Sequence, residues 1–146
     1  VALNAALETD IFGNVNSTHV MGTSVMNGIG GAGDFARNAA LSVFMLPSTA
    51  KDGKISSIVP FCSHIDLTEH DVDVIVTEQG LADLRGKSPE QRALCIVENC
   101  AHPDYKPLLR AYLRRAKSGH IRHDLTAAFA FYDAYVKTGD MRNARL

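Results

Sequence analysis

The sequence has no strong excess of charge of either sign and no long apolar run. Lys and Arg together number 15 and Asp and Glu number 16, so the formal net charge is −1 and nothing in it predicts a nucleic-acid partner. Apolar stretches such as residues 58–62 extend for only a few residues, whereas a membrane-spanning helix needs about 20. No signal peptide is recognisable at the start. We therefore expect an ordinary soluble globular domain that binds neither nucleic acid nor membrane.

Cysteine is also scarce, and its pattern argues against a disulfide framework. There are three cysteines, an odd number: Cys62, Cys95 and Cys100. None of them form a C-x-x-C pair, the spacing that is typical of zinc and redox sites. We expect structural thiols in a reducing compartment, and hence a cytoplasmic location.

The composition predicts one α/β domain over residues 1–146, with a mixed or mainly parallel sheet flanked by helices. Up to about residue 78 the chain is rich in Gly, Ser, Thr, Asn and β-branched residues, and from residue 79 helix formers dominate. Strands are predicted at residues 1–7, 15–21, 54–61 and 72–77. Residues 51–54, with the sequence Lys-Asp-Gly-Lys, predict a turn.

The helices have clearer boundaries. Ser88 is followed by Pro89 and, three residues after the Ser, by Gln91, which is the pattern of a capping box at a helix start. Further helices are predicted after residue 104, ending at Ser118-Gly119, and over residues 125–136. The last is apolar on nearly all sides, so we expect it to dock on a partner surface or on a missing half of the protein. Because the chain opens on apolar residues without Met, we expect it to be part of something larger.

A glycine-rich segment at residues 27–35, NGIGGAGDF, contains the pattern G-x-G-x-x-G. A dinucleotide-binding turn needs a buried strand before this pattern and an acidic residue at a second strand about twenty positions later. Here Gly22 interrupts the preceding segment, and Asp52 falls in a predicted turn, so the dinucleotide interpretation is disfavoured. The glycines would still let a backbone approach a ligand closely and present N–H groups to an anion. A tight turn without a ligand remains the alternative.

Several blocks in fixed order resemble a known family. They closely resemble the C-terminal half of the acetyl-CoA hydrolase/transferase family, and within it most nearly the succinyl-CoA:acetate CoA-transferases. The resemblance runs over about residues 1–115. The blocks that carry it are residues 8–18 (ETDIFGNVNST), 27–38 (NGIGGAGDFARN), 47–51 (PSTAK), 68–72 (TEHDV) and 76–86 (VTEQGLADLRG).

The resemblance implies a fold, a reaction and partners. The chain would be the C-terminal lobe of a two-lobed fold, with coenzyme A as substrate and no metal. Coenzyme A would move between an acyl-CoA and a small carboxylate through a glutamyl-CoA thioester, and the nucleophilic glutamate would lie upstream of this chain. The isolated chain would then be inactive without its N-terminal half, and the full enzyme would be a homodimer. Acetyl-CoA hydrolysis and a noncatalytic CoA-binding module remain alternatives.

The resemblance also implies site residues. The backbone N–H of Gly31 would donate to the oxyanion of the reacting thioester, with Gly30 permitting close approach. Asn27 and Lys51 would contact CoA, the amide through the amides of pantetheine and the ammonium through phosphates. Glu78 follows the predicted strand 72–77, where it could line an acyl or carboxylate pocket as an auxiliary group, or favour the dipole of a helix at residues 80–84.

Other polar residues are expected to be structural. Adjacent residues at 69–71, Glu-His-Asp, point in different directions in a loop and predict no metal site, and no two histidines have the His-x-x-x-His spacing. Arg37 is expected to form a surface salt bridge, and pairing with a phosphate of a ligand is the less favoured alternative. Glu8 is expected at a strand end or turn, with the site as the alternative, and Asn14 and Asn16 in turns.

Overall fold

The computed structural model describes all 146 residues and places a four-stranded sheet at one side of the domain. Its strand order is β1-β6-β10-β11; the first three strands run parallel, and the last runs antiparallel to its neighbour. The expected mixed sheet is therefore confirmed. The four strands are β1 (Ala2–Ala5), β6 (Ser42–Met45), β10 (Val74–Thr77) and β11 (Gly80–Asp83).

The internal strand β6 was not predicted from the sequence, and neither was the helix Ala32–Asn38. In parallel register Val43 pairs with Leu3 on one side and with Val74 on the other. Phe44 is fully buried. This short strand is held by neighbours that are distant in sequence, so its own four residues carry little periodic signal.

Smaller sheets pack beside the first, and two long predicted strands are each broken in two. Strands 15–21 and 54–61 were expected to be continuous, but Asn16 interrupts the first because its Oδ1 accepts the backbone N–H groups of Thr18 and His19. The turn at residues 51–54 is confirmed by positive φ angles at Lys51, Asp52 and Gly53. The order in the three-stranded sheet is β3-β2-β9, and β4-β5 and β7-β8 pair as hairpins. These strands are β2 (Glu8–Asp10), β3 (Val15–Asn16), β4 (His19–Val20), β5 (Ser24–Val25), β7 (Thr49–Ala50), β8 (Ile55–Ser56) and β9 (Ile58–Val59).

Four α-helices are present: α1 (Ala32–Asn38), α2 (Pro89–Cys100), α3 (Lys106–Arg115) and α4 (Ala130–Thr138). The capping box of α2 is confirmed, since Ser88 N–H donates to Gln91 Oε1 at 2.9 Å and Gln91 N–H donates to Ser88 Oγ at 3.3 Å. Helix α2 packs on β11 and buries Ile96 and Val97. Helix α4 begins five residues later than expected, because Asp124 accepts the N–H and hydroxyl of Thr126 and holds the preceding residues in turns.

The alternative in which Glu78 precedes a helix at residues 80–84 is wrong, because residues 80–83 form β11. Thr77 and Gly80 are directly paired across the hairpin, so Glu78 and Gln79 form its two-residue turn. Gly80 lies so close to the end of α2 that a Cβ there would approach the carbonyl oxygen of Asn99 to 2.8 Å. The tertiary contact with α2 thus favours a strand over a helix at residues 80–83. Glu78 therefore does not lie at the N-terminus of a helix.

Candidate functional site

A cavity of about 300 Å³ opens between the end of β1 and the glycine loop, defined here as residues 27–31. No charged side chain lines it. Its lining consists of two asparagines, two glycines of the loop and several apolar residues. The lining residues are Asn4, Ala5, Ala6, Leu7, Ser17, Asn27, Gly28, Ile29, Gly31, Ala32 and Phe35.

The glycine loop carries free hydrogen-bond donors. The backbone N–H groups of residues 28–31 make no hydrogen bond within the chain. Gly30 has a φ of +57°, a conformation that favours glycine, and a Cβ at Gly28 or Gly30 would meet no atom within 4 Å. The loop therefore offers its backbone to a bound group without steric cover, which is what an anion or a developing oxyanion requires.

Asn27 anchors this loop. Its Nδ2 donates to the backbone carbonyl of Ser17 at 2.6 Å, and the backbone N–H groups of Met26 and Asn27 both donate to the carbonyl of Thr18. The Oδ1 of Asn27 accepts no hydrogen bond within the chain and stays available to a ligand. Asn27 and Gly31 thus both line the cavity, and Gly30 lies in the loop between them without lining it.

Asp66 supports the anchor, and the sequence analysis missed it. Its carboxylate accepts the backbone N–H of Ser17 at 2.8 Å, the hydroxyl of Thr18 at 2.8 Å and a contact from His64 Nε2 at 3.1 Å. Burial acts to raise the pKa of Asp66, but these hydrogen bonds and the charge of His64 outweigh it and hold the pKa below its usual value. The ring of His64 lies against that of His19, with 3.9 Å between their centroids. Residues 17–18 and residue 66 are far apart in the sequence, so their contact is visible only in the folded structure.

Glu78 lies at the same sheet edge as the cavity, but it does not line it. The carboxyl ends of β1, β6 and β10 share one edge because these strands are parallel, and β6 separates β1 from β10 by about 10 Å in total. Ser48 donates to Glu78 through its backbone N–H at 2.8 Å and through its hydroxyl, and Gln79 Nε2 donates at 3.1 Å. Glu78 is largely exposed, and its slight burial acts to raise its pKa, but these hydrogen bonds outweigh that effect and lower the pKa to about 2. The side chain is therefore a fixed, ionised carboxylate at neutral pH.

The structure does not bring Lys51 to the cavity. Lys51 occupies the turn between β7 and β8, and its Nζ lies 5.8 Å from the ring centroid of Tyr135 on α4. The role of Lys51 in binding a phosphate stays a prediction. It requires a ligand that extends from the cavity to this turn.

Glu8 is part of a buried hydrogen-bond network rather than of the cavity. Its carboxylate accepts from Asn16 Nδ2 at 2.9 Å, from the hydroxyl of Ser63 at 2.7 Å and from the hydroxyl of Tyr132 at 2.8 Å. It begins β2 as expected. The network ties β2 to α4 and serves the fold.

Asp10 is the second buried carboxylate of β2. It accepts the backbone N–H groups of Phe12 and Asn14, the side-chain amide of Asn14 and the backbone N–H of Cys62. Burial raises the pKa of Asp10 to about 6, against these hydrogen bonds, which lower it. The turn role expected for Asn14 is confirmed.

Arg37 and two of the cysteines have structural surroundings. Arg37 forms a salt bridge with Asp71 at 3.1 Å on the surface. Burial raises the pKa of the Cys62 thiol well above its usual value, and Cys62 and Cys100 are both fully enclosed. No cluster of three or more His, Cys, Asp or Glu side chains is arranged to hold a metal ion. None of the helices has the length and apolar character that crossing a membrane requires.

Comparison with known proteins decides the family. Residues 1–113 match the family described as "Acetyl-CoA hydrolase/transferase C-terminal domain". The chain belongs to this family. Among curated proteins, it is 60% identical over 141 residues to the propanoyl-CoA:succinate CoA transferase of Escherichia coli, a match that covers 97% of this chain and 29% of that protein. It is 58% identical over 145 residues to the succinyl-CoA:acetate CoA-transferase of Clostridium kluyveri, covering 97% of this chain and 27% of that protein.

Other family members carry a different activity in their names. The acetyl-CoA hydrolase of Candida glabrata is 51% identical over 154 residues, covering 97% of this chain and 29% of that protein. Among solved structures, RipA from Yersinia pestis matches with a TM-score of 0.70 and 36% identity, covering 77% of this chain and 27% of that one. This chain thus spans somewhat under a third of the length of these relatives, and the expected family and fold are confirmed.

Proposed function

We propose that this chain is the CoA-binding C-terminal domain of an enzyme that moves coenzyme A between an acyl-CoA, such as acetyl-CoA or succinyl-CoA, and a small carboxylate. The main observation in support is the uncharged cavity beside the glycine loop, where four consecutive backbone N–H groups at residues 28–31 have no partner. The names of the two relatives at 58% and 60% identity support the same reaction class.

In the proposed reaction a glutamate carboxylate outside this chain attacks the thioester carbonyl. The carbonyl oxygen becomes an oxyanion, to which the N–H of Gly31 donates, and collapse expels the CoA thiolate and leaves a mixed anhydride. The thiolate then attacks the glutamyl carbonyl, which releases the acyl group as a carboxylate and leaves a glutamyl-CoA thioester. An acceptor carboxylate reverses these steps, and the new acyl-CoA departs.

The other site residues have supporting roles in this proposal. Asn27 fixes the loop on Ser17 and keeps its Oδ1 for the ligand. Gly30 supplies the positive φ on which the loop path depends. Lys51 binds a phosphate of CoA, and Glu78 is an ionised auxiliary group beside the carboxylate pocket. We propose further that the full enzyme is a cytoplasmic homodimer without a metal cofactor.

Acetyl-CoA hydrolysis is the second candidate, and a 51% identical relative named acetyl-CoA hydrolase favours it. Water would then discharge the acyl-enzyme in place of the acceptor carboxylate. The two reactions share every role assigned above and differ only in how well the closed site excludes water. A CoA-binding module without catalysis is the third candidate.

Intact-mass spectrometry with acetyl-CoA tests the proposal. The chain is incubated alone and then together with the region that precedes this domain in the relatives, and Glu78→Gln is measured in parallel. We expect an adduct of CoA less one water on the added region only. Steady-state assays with and without acetate then separate transfer from hydrolysis.

The possible outcomes are distinct. An adduct on this chain that Glu78→Gln abolishes would make Glu78 the nucleophile and overturn the division of roles. No adduct anywhere, with saturable CoA binding, would favour the noncatalytic module. Tighter binding of NAD than of CoA would overturn the acyl-CoA assignment altogether.

A further inference from the structure

The glycine loop is held at both ends by one short stretch of the chain, residues 66–71, which we call the support segment. On the side before the loop, Asp66 accepts the backbone N–H of Ser17 and the hydroxyl of Thr18, each at 2.8 Å. The carbonyl of Ser17 accepts Asn27 Nδ2, and the carbonyl of Thr18 accepts the backbone N–H of Asn27. The support segment thereby fixes the residue at which the loop begins.

Asp71, at the other end of the support segment, holds the helix that follows the loop. Arg37 of α1 donates to Asp71 Oδ2 through Nε at 3.2 Å and through Nη2 at 3.1 Å. Helix α1 has seven residues, and Ala36 is its one buried residue, so a helix this short depends on its few tertiary contacts for its position. The ion pair is therefore a main tether of α1, whose N-cap is Gly31.

The support segment is itself fixed to the core. Val15 and Leu67 exchange backbone hydrogen bonds at 2.8 and 3.1 Å, and Leu67 is buried. The Oδ1 of Asn14 accepts the backbone N–H of Glu69 at 3.0 Å. In contrast, the N–H groups of residues 28–31 make no hydrogen bond within the chain. The two carboxylates of the support segment therefore set the positions of both ends of a loop that has no backbone N–H bonds of its own there.

We propose that Asp71 and Arg37 are positioning residues for the reaction: their ion pair holds α1 so that the N–H of Gly31 is aligned with the developing oxyanion. This inference rests on the proposed function and deepens it, since it assigns the alignment of the donor to a contact outside the cavity. Neither side chain of the pair lines the cavity, so neither touches the thioester. A displacement of a reacting group by about 1 Å can cost about 100-fold in rate, so a tether at this distance can still control kcat.

The alternative role of Arg37, pairing with a phosphate of the ligand, predicts different kinetics. Alignment of an oxyanion donor acts in the transition state only, so its loss lowers kcat and leaves the KM for acyl-CoA nearly unchanged. A phosphate contact acts in the bound substrate and in the transition state alike, so its loss raises KM. Asp71 favours the first role, because it already accepts from two nitrogens of the guanidinium.

Steady-state kinetics of the full-length enzyme test this assignment. Asp71→Asn and Arg37→Gln should each lower kcat about tenfold, less than the loss expected for a fully displaced donor because Asp66 still holds the other end of the loop. The KM for acyl-CoA should stay within about twofold of the wild-type value. The double variant should lose no more than the larger single loss, since both changes remove the same contact. Arg37→Lys, which keeps the charge, should recover part of the loss.

Arg110→Gln is the matched control, because it breaks another surface ion pair between two elements, the one with Glu98, away from the glycine loop. It should leave kcat and KM unchanged. Hydrogen exchange in the free enzyme measures the tether without turnover. The N–H of Phe35 donates to the carbonyl of Gly31 at 3.0 Å, and in Asp71→Asn it should exchange about tenfold faster, while exchange in α2 stays unchanged.

Four outcomes would contradict these expectations. Unchanged kcat in Asp71→Asn, or a double variant whose loss equals the product of the two single losses, would overturn the proposal. A raised KM with normal kcat in Arg37→Gln alone would overturn it in favour of a phosphate contact. A surface ion pair adds little to global stability, so a lower Tm with faster exchange in α2 would overturn it by making the pair a general support of the fold. Faster exchange of Phe35 in Asp71→Asn, with a wild type that transfers no CoA, would overturn the proposed function while leaving the tether established.

Discussion

Asp10 and Glu78 each accept several hydrogen bonds, yet their pKa values move in opposite directions because only Asp10 is buried. Asp10 is fully enclosed, and its pKa rises to about 6. Glu78 stands exposed at the turn after β10, where donation from Ser48 prevails and lowers the pKa to about 2. A general acid or base works best with a pKa near the working pH. Glu78 is therefore suited to holding Ser48 and the neighbouring loop, and not to transferring protons.

The stability of this chain should depend on the protonation of Asp10. The folded state holds the proton up to a pKa of about 6, whereas an unfolded Asp loses it near 3.9. Between these values the folded state binds more protons, so the unfolding free energy should fall as pH rises from about 4 to about 6, by about 3 kcal/mol from this group. Urea unfolding at intervals of half a pH unit would measure the slope.

Asp10→Asn is the control for that measurement. The variant cannot titrate, and its amide would oppose the donors of Asn14 and Cys62, so it should be less stable throughout and lack this component of the slope. Parallel pH dependence in the two proteins between pH 4 and 6 would show that Asp10 does not retain its proton on folding.

Gly31 and Gly33 separate an effect on the reaction from an effect on the helix. At Gly31 an added Cβ would approach the ring of Phe35 to 2.9 Å and stand beside the proposed oxyanion donor, while the φ of −90° remains open to any residue. Because Phe35 is exposed and can move, Gly31→Ala should keep its Tm. In the full-length enzyme it should lose about 10- to 1000-fold in kcat, the range for a displaced oxyanion donor.

Gly33→Ala is the matched control. Gly33 lies within α1 and outside the cavity lining, and its added Cβ would make ordinary contact with Arg37 at 3.5 Å. It should keep kcat and stabilise α1, since alanine is the better helix former. Equal kcat values for the two variants would remove Gly31 from the proposed mechanism.

At the scale of elements, the glycine loop depends on a chain of contacts that begins at Asp66. Asp66 holds Ser17 and Thr18, and their carbonyls accept the donors of Met26 and Asn27. In Asp66→Ala the two residues lose their acceptor, and the amide of Met26 should exchange with solvent at least tenfold faster in hydrogen exchange, because the loop opens more often. Exchange in α2 should stay unchanged.

Asp83→Ala serves as the control for the loop. Asp83 is a surface carboxylate that pairs with Arg85 and touches no part of the loop. Its removal should leave the exchange of Met26 as it is. Unaltered exchange in Asp66→Ala would mean that the contacts of Asn27 alone hold the loop.

The elements also show which parts of the fold local sequence can predict. The start of α2 was predicted correctly because its capping box joins residues three positions apart. Strand β6 was missed because its partners lie about 40 residues before and 30 residues after it. A helix at residues 80–84 was one of two alternatives, whereas pairing with β10 and the contact of Gly80 with Asn99 make residues 80–83 a strand.

The candidate site divides in the same way. Asn27, Gly30 and Gly31 are contiguous, so a resemblance over one short block could identify them. Asn4 and Asp66 join the site only through β1 and through the contact of residues 17–18 with residue 66. No spacing in the sequence predicts either residue, because both depend on tertiary contacts.

At the scale of the whole molecule, one side of the domain is apolar and uncovered. Strand β1 is an edge of the parallel sheet, although such sheets are normally covered on both faces. Leu3 in β1 is 64% exposed, and Phe35, which lines the adjoining cavity, is 66% exposed. In the longer relatives we expect the region that precedes this domain to cover this side, which would also close the cavity against water.

Self-association of the isolated chain follows from that uncovered side. Sedimentation velocity should show the chain alone forming oligomers whose size increases with concentration, because exposed strand edges and apolar patches pair with one another. The double substitution Leu3→Lys and Phe35→Ser should abolish this, while the full-length enzyme should sediment as a single dimeric species at every concentration. A chain that stays monomeric without the substitutions would mean that β1 and α1 need no cover, and the site would then have to exclude water by its own loops alone.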